Sequence, residues 1–122
     1  MKITKEGVKL VLWAAIEDYC GLWEIPWELK NLQNSFNESQ LKILSLEIIK
    51  FLISGGFIEL FYCKEPYGDI TKISDTNLYC NLLNQSKYWD IPNSGDKSIR
   101  INATQKGEKL YQDANYNEYI SS

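Results

Sequence analysis

The 122 residues contain no histidine, a single arginine, one methionine and only three prolines. Without histidine the chain lacks the commonest general base and the commonest neutral metal ligand. Ser35, Ser39, Ser45 and Ser54 therefore have no imidazole to activate them, and no Gly-x-Ser-x-Gly elbow surrounds any of them. Cys20, Cys63 and Cys80 are odd in number, lack metal-ligand spacing and have no imidazole partner. They are expected to be reduced, buried thiols of a cytoplasmic protein. Arg100 stands alone as the residue type best suited to bidentate phosphate or guanine contacts, and the net charge of −3 weighs against a nucleic-acid backbone binder. No apolar run approaches the roughly 20 residues of a membrane span. Met1 to Lys5 lead straight into a helical pattern that holds Glu17 and Asp18, so no signal peptide is expected. No catalytic residue, cofactor site or metal site is expected, and an enzyme is not the reading these residues favour.

What is present is a long organising stretch, Asn37 to Cys63. Asn37 suits an N-cap, with Gln40 placed to complete a capping box and Glu38 at the positive end of the helix dipole. Leu41, Leu44, Ile48, Phe51 and Leu52 follow at helical spacing, and Ile43, Leu46, Ile49 and Ile53 broaden the stripe. A helix this apolar is expected to be central, with neighbours on more than one side. Gly55 and Gly56 close it, and with no Gly-Lys-Ser/Thr following they form no phosphate cradle. Phe57 to Tyr62 then has the aromatic and branched character of a strand.

Around this stretch the patterning predicts a first helix over about Lys5 to Asp18, capped by Thr4 and ended by Gly21, burying Val8, Val11, Leu12, Ala15 and Tyr19. Leu22 to Pro26 alternates as an extended segment, with a short helical turn from Pro26 to Leu32. A turn at Glu65 to Asp69, a brief strand at Ile70 to Ile73, and a helix capped by Ser74 or Asp75 running to about Gln85 come next. That helix turns Leu78, Leu82 and Leu83 inward. Tyr88 to Pro92 is an aromatic connector whose Tyr88 and Trp89 cover the edges of the core, and Asn93 to Asp96 is a loop tip. Ser98 to Asn102 alternates as a strand, and Thr104 caps a last helix to about Gln112. The fold class is α+β, mostly helical, with a small antiparallel sheet: a single domain over residues 1–114 and a frayed tail over 115–122.

Charge is most uneven between Glu17 and Glu38, where Glu17, Asp18, Glu24, Glu28 and Glu38 face Lys30 alone. Tyr19, Trp23 and Trp27 are interleaved with these acids. One reading is a partner-binding patch of Glu17, Asp18, Trp23, Glu24, Trp27 and Glu28, since aromatic anchors ringed by charge suit protein interfaces. The other is that both tryptophans are core and the acids a solvated rim. Glu24 and Glu28 make a poor glycosidase-type acid pair, because a helix starting at Pro26 does not stack them. Lys97, Arg100, Lys106 and Lys109 form a modest basic cluster, expected to be a solvated face.

The order of elements resembles the winged-helix fold. Leu52 to Glu59 is similar to the end of a recognition helix turning into a first wing strand. Ile99 to Leu110 is similar to the second wing strand followed by the Thr-x-x-Gly helix start common in winged-helix regulators. The two strands are separated by a segment containing a predicted helix, where a wing is normally a short hairpin, and the central helix offers only Lys42 and Lys50 as basic residues. In size, charge and composition the chain also resembles immunity proteins of contact-dependent growth inhibition and related polymorphic toxin systems. That resemblance implies a bacterial, cytoplasmic immunity protein that neutralises a toxin domain, such as a nuclease with a basic surface, by protein binding. The alternative is a winged-helix DNA-binding transcriptional regulator. Oligomeric state stays open.

Overall fold

The structure, a computed structural model, describes residues 3–66 and 68–113. The predicted tail and Tyr67 of the predicted turn lie outside the described residues. The described chain is a small α+β unit in which helices pack against a four-stranded antiparallel sheet.

Helix α1 (Lys5–Glu17) starts where Thr4 accepts the Gly7 N–H at 3.1 Å, and it buries Val8, Val11, Leu12 and Ala15. Gly21 does not end it. Asp18 is the C-cap, in extended conformation, and the chain runs on into β1 (Cys20–Gly21). Tyr19 therefore lies past the helix, only half buried. Leu22 to Glu24 is not extended, contrary to its alternating pattern. It forms a 3-10 turn that feeds α2 (Ile25–Lys30), with Pro26 in the first turn, where a missing N–H costs nothing.

Helix α3 (Glu38–Ser54) has the predicted capping box: Asn37 accepts from Gln40 N–H and Gln40 accepts from Asn37 N–H, both at 2.9 Å. Its buried stripe is Leu41, Leu44, Ser45, Ile48, Ile49 and Leu52, and the Ser45 hydroxyl is satisfied by the Leu41 carbonyl at 2.6 Å. The helix is not covered on most sides as its composition suggests. Ser39, Lys42, Ile43, Glu47, Lys50 and Ser54 are exposed, leaving one open face. Gly56 then adopts φ +73, a conformation that a side chain disfavours, and turns the chain into β2 (Ile58–Lys64).

Strand β3 (Ile70–Lys72) folds back on β2. The predicted long helix after it is broken. Asp75 caps a 3-10 turn over Thr76 to Leu78 by accepting Asn77 N–H, and only Tyr79–Leu83 (α4) is helical. Leu78 is consequently exposed rather than inward, while Leu82 and Leu83 are buried. This segment belongs to the main core. Tyr79 donates its hydroxyl proton to the Ile73 carbonyl at 3.0 Å and accepts Leu60 N–H at 3.4 Å, while Leu82, Leu83, Tyr88 and Trp89 join the cluster built by α1, α3 and the sheet. Strand β4 (Lys97–Ala103) lies centrally, in the order β1-β4-β2-β3. Ile99 and Ile101 face the helices and pair across with Tyr62 and Leu60. Helix α5 (Gln105–Asp113) begins where Thr104 accepts Gly107 N–H at 3.1 Å, and Leu110 is buried. No described helix is long and apolar enough to cross a membrane.

Candidate functional site

The alternation of β4 places Ser98, Arg100 and Asn102 on the face of the sheet opposite Ile99 and Ile101. That face is covered by residues 15 to 24. Asn102 donates to the Ala15 carbonyl at 2.9 Å, tying α1 to the sheet. Arg100, grouped by sequence with a solvated basic face, is 8% exposed. Its Nη1 donates to the Tyr19 carbonyl at 2.7 Å, and its Nε and Nη2 donate to Glu65 Oε1 at 3.1 and 2.8 Å. The Ser98 hydroxyl donates to the same oxygen at 2.7 Å. Glu65, also 8% exposed, thus has its charge met by three donors, as a buried carboxylate requires. Burial works against the charge of Arg100, but the hydrogen bond and charge of Glu65 outweigh it and raise the pKa.

Trp23 is 9% exposed, with the Arg100 guanidinium 5.0 Å from its ring centroid. A Cβ on Gly21 would collide with the same ring, so the absence of a side chain there lets the indole lie flat across β1. Trp23 is a wall of the core and not an exposed anchor. Glu24 accepts Gly21 N–H at 2.8 Å and lies 3.9 Å from Arg100 Nη1, so it caps the turn as well as carrying charge.

The remaining sequence-derived candidates lie on the surface. Trp27 is 53% exposed, and Glu17, Asp18 and Glu28 are exposed around the same chain segment. Asp18, Glu24 and Glu28 converge on Cys20. Burial, then Glu24 and Glu28, then Asp18 push its thiol up to about 12, with Arg100 opposing. Glu17, Asp18, Trp27 and Glu28 are thus exposed, whereas Trp23 is buried and Glu24 is engaged with Gly21 and Arg100. Lys106 and Lys109 on α5 are exposed as expected of a solvated face, and Lys97 lies 3.9 Å from the Tyr62 ring centroid.

Trp27 also lines a groove of about 520 Å³ between α2, the start of α3 and residues 89–91. Buried Trp23, Trp89 and Leu41 line it with half-buried Phe36 and with Ile91, which is 66% exposed. Trp89 is fixed by donating its Nε1–H to the Leu83 carbonyl at 2.8 Å. Lys30, Glu38, Lys42 and Asp90 complete the lining. Ile91 and Trp89 do not stand out in the sequence as site residues. The local signal is the aromatic and apolar character of the connector, Tyr88, Trp89 and Ile91.

No group of three or more His, Cys, Asp or Glu side chains that could hold a metal occurs among the described residues. Comparison of the chain with protein-family models, with curated proteins and with solved structures found no match.

Proposed function

We propose that this chain is a cytoplasmic immunity protein of a bacterial toxin system. It binds a toxin domain with a basic surface, such as a nuclease, and blocks it by covering it, with no chemistry of its own. The observation that carries this reading is the exposed Trp27, next in sequence to exposed Glu28, in a stretch that also exposes Glu17 and Asp18. An exposed indole supplies contact area, and the surrounding carboxylates steer a basic partner and speed its encounter.

A second reading, a winged-helix DNA-binding regulator, draws support from the run α3, β2, β4 and α5 and from the open face of α3. That face mixes Lys42 and Lys50 with Glu47, and the one arginine is buried beneath Trp23. Neither feature favours a polyanion.

Co-expression is the test. The C-terminal domain encoded directly upstream of this chain is induced in a sensitive cell, with and without the chain. Growth arrest relieved by the chain, and relieved less by Glu28→Lys, is the expected result. An arrest that the chain does not relieve, together with salt-dependent binding to its own promoter DNA, would replace immunity with the regulator reading.

A further inference from the structure

The open face of α3 carries an apolar stripe. Ile43 is 50% exposed and stands outside the core cluster, while Leu46 and Ile53 are half-buried at its margin. With Lys50 these residues recur at alternating spacings of three and four, the period by which two paired helices keep one seam in contact. Helix α3 runs 17 residues. At 1.5 Å per residue that is roughly 25 Å, and the stripe covers its middle and C-terminal turns.

The charges on this face are Lys42, Glu47 and Lys50, and none of them forms an ion pair among the described residues. A face of mixed sign and small net charge has little to offer a polyanion or a strongly charged protein. It is complementary to a second copy of itself. A two-fold contact sets the same patch on both sides, so it is favoured where apolar residues meet apolar ones and each charge meets its opposite. An antiparallel crossing of two α3 helices does this. With the two-fold axis level with Ile48, Ile43 lies opposite Ile53 of the second copy, and Leu46 lies opposite Lys50 of the second copy. The Lys50 stem then covers Leu46 while its ammonium reaches the adjacent Glu47. Each copy supplies both members, so the ion pair forms twice. A parallel crossing would instead set Lys50 against Lys50 in the middle of the seam, where like charges repel.

We propose that the open face of α3 is a homodimer interface, in which two copies pair antiparallel through Ile43, Leu46, Lys50 and Ile53 with reciprocal Lys50–Glu47 ion pairs. The interface goes beyond the immunity reading and uses none of the residues assigned there to toxin binding. A single helix pair is small for a protein interface, so the dissociation constant is expected between about 1 μM and 1 mM.

Sedimentation equilibrium of the whole chain tests this, in low salt and with a thiol reductant that keeps exposed Cys80 from linking copies. A monomer–dimer equilibrium is expected. Ile43→Asp should weaken it by about tenfold or more, because it puts a carboxylate into the seam. Trp27→Ala should leave it unchanged. Glu47→Lys and Lys50→Glu should each weaken it, and the two together should restore it, because the exchanged pair still meets across an antiparallel seam. All four positions are exposed, and an unchanged melting temperature at a dilution where the parent is monomeric verifies the fold of each variant.

A chain that stays monomeric up to about 1 mM would overturn the proposal. So would a dimer that survives Ile43→Asp, or open-ended association into larger species. A dimer lost in Trp27→Ala would move the contact to the groove and overturn α3 as the interface. Charge reversals that weaken the dimer singly, with no recovery when combined, would overturn the antiparallel pairing.

Discussion

The Arg100 guanidinium lies 5.0 Å from the centre of the Trp23 ring, joining the middle of the sheet to the turn that carries Trp23 and Glu24. The same guanidinium holds Glu65 through two hydrogen bonds and the Tyr19 carbonyl through a third. One side chain therefore positions the β2–β3 turn, the exit from α1 and the Trp23 lining of the groove.

Removing the indole should expose this arrangement. Trp23→Ala is expected to cost about 3–5 kcal/mol of folding stability, the range for large-to-small core changes. Gly21→Ala should also destabilise, because the added methyl displaces the same ring. Urea unfolding of both variants measures the effect, and a Trp23→Ala chain as stable as the parent would make Trp23 a surface residue after all.

Arg100→Ala leaves Glu65 buried without its cation, and the expected loss is about 3–5 kcal/mol. Arg100→Lys should recover only part of this, since an ammonium cannot reach Glu65 and Tyr19 together with a planar fork. A double change of Glu65→Gln and Arg100→Met should be less damaging than Arg100→Ala alone. Chemical denaturation of the three variants ranks them.

The two acids of α2 and its preceding turn should behave differently. Glu28 is exposed and has no ion-pair partner among the described residues, so Glu28→Lys should leave the melting temperature unchanged while weakening binding to the proposed toxin partner. Glu24 caps Gly21 N–H, so Glu24→Lys should cost about 1 kcal/mol of stability in addition, as lost caps do. Equal melting temperatures for both reversals would count against the capping role.

Cys20 gives the chain an alkaline liability. Its thiol ionises near 9.0 when unfolded and near 12 when folded, because burial and the nearby acids disfavour the thiolate. The folded state therefore binds more protons than the unfolded state between these values. The stability this contributes is complete below pH 9 and is lost as pH rises towards 12, with a slope of up to about 1.4 kcal/mol per pH unit. Cys20→Ala should remove that slope in stability-against-pH measurements. With a thiol reagent at neutral pH, exposed Cys80 should react first, and Cys20 and Cys63 only on unfolding.

The helix caps at Thr4, Asn37 and Thr104 and the turn at Gly56 were legible because their signals are local: a side chain satisfying a backbone group three residues away, or a φ that a side chain disfavours. The α+β class followed from those boundaries. Arg100 was misplaced because its covering is not local. Alternation along β4 assigned it to the outer face, and nothing near it in sequence shows that Tyr19, 81 residues away, closes over that face. Gly21 suited a helix stop by composition, but it serves the packing of a ring two residues later. For the site, the exposed acids and Trp27 could be read from charge and aromatic content. The groove could not, since Trp27 and Ile91 come to line it together only after the core has brought residues 22–30 and 86–91 together.

The sheet has long inner strands and stunted outer ones. Strands β2 and β4 run seven residues each, whereas β1 has two and β3 three, with Lys72 of β3 paired to Glu59. A foreign strand approaching either border finds too few open backbone groups to extend the ladder, and a charge pair at one of them. This geometry disfavours runaway strand-to-strand aggregation in a chain that exposes Trp13, Trp27, Ile43 and Ile91.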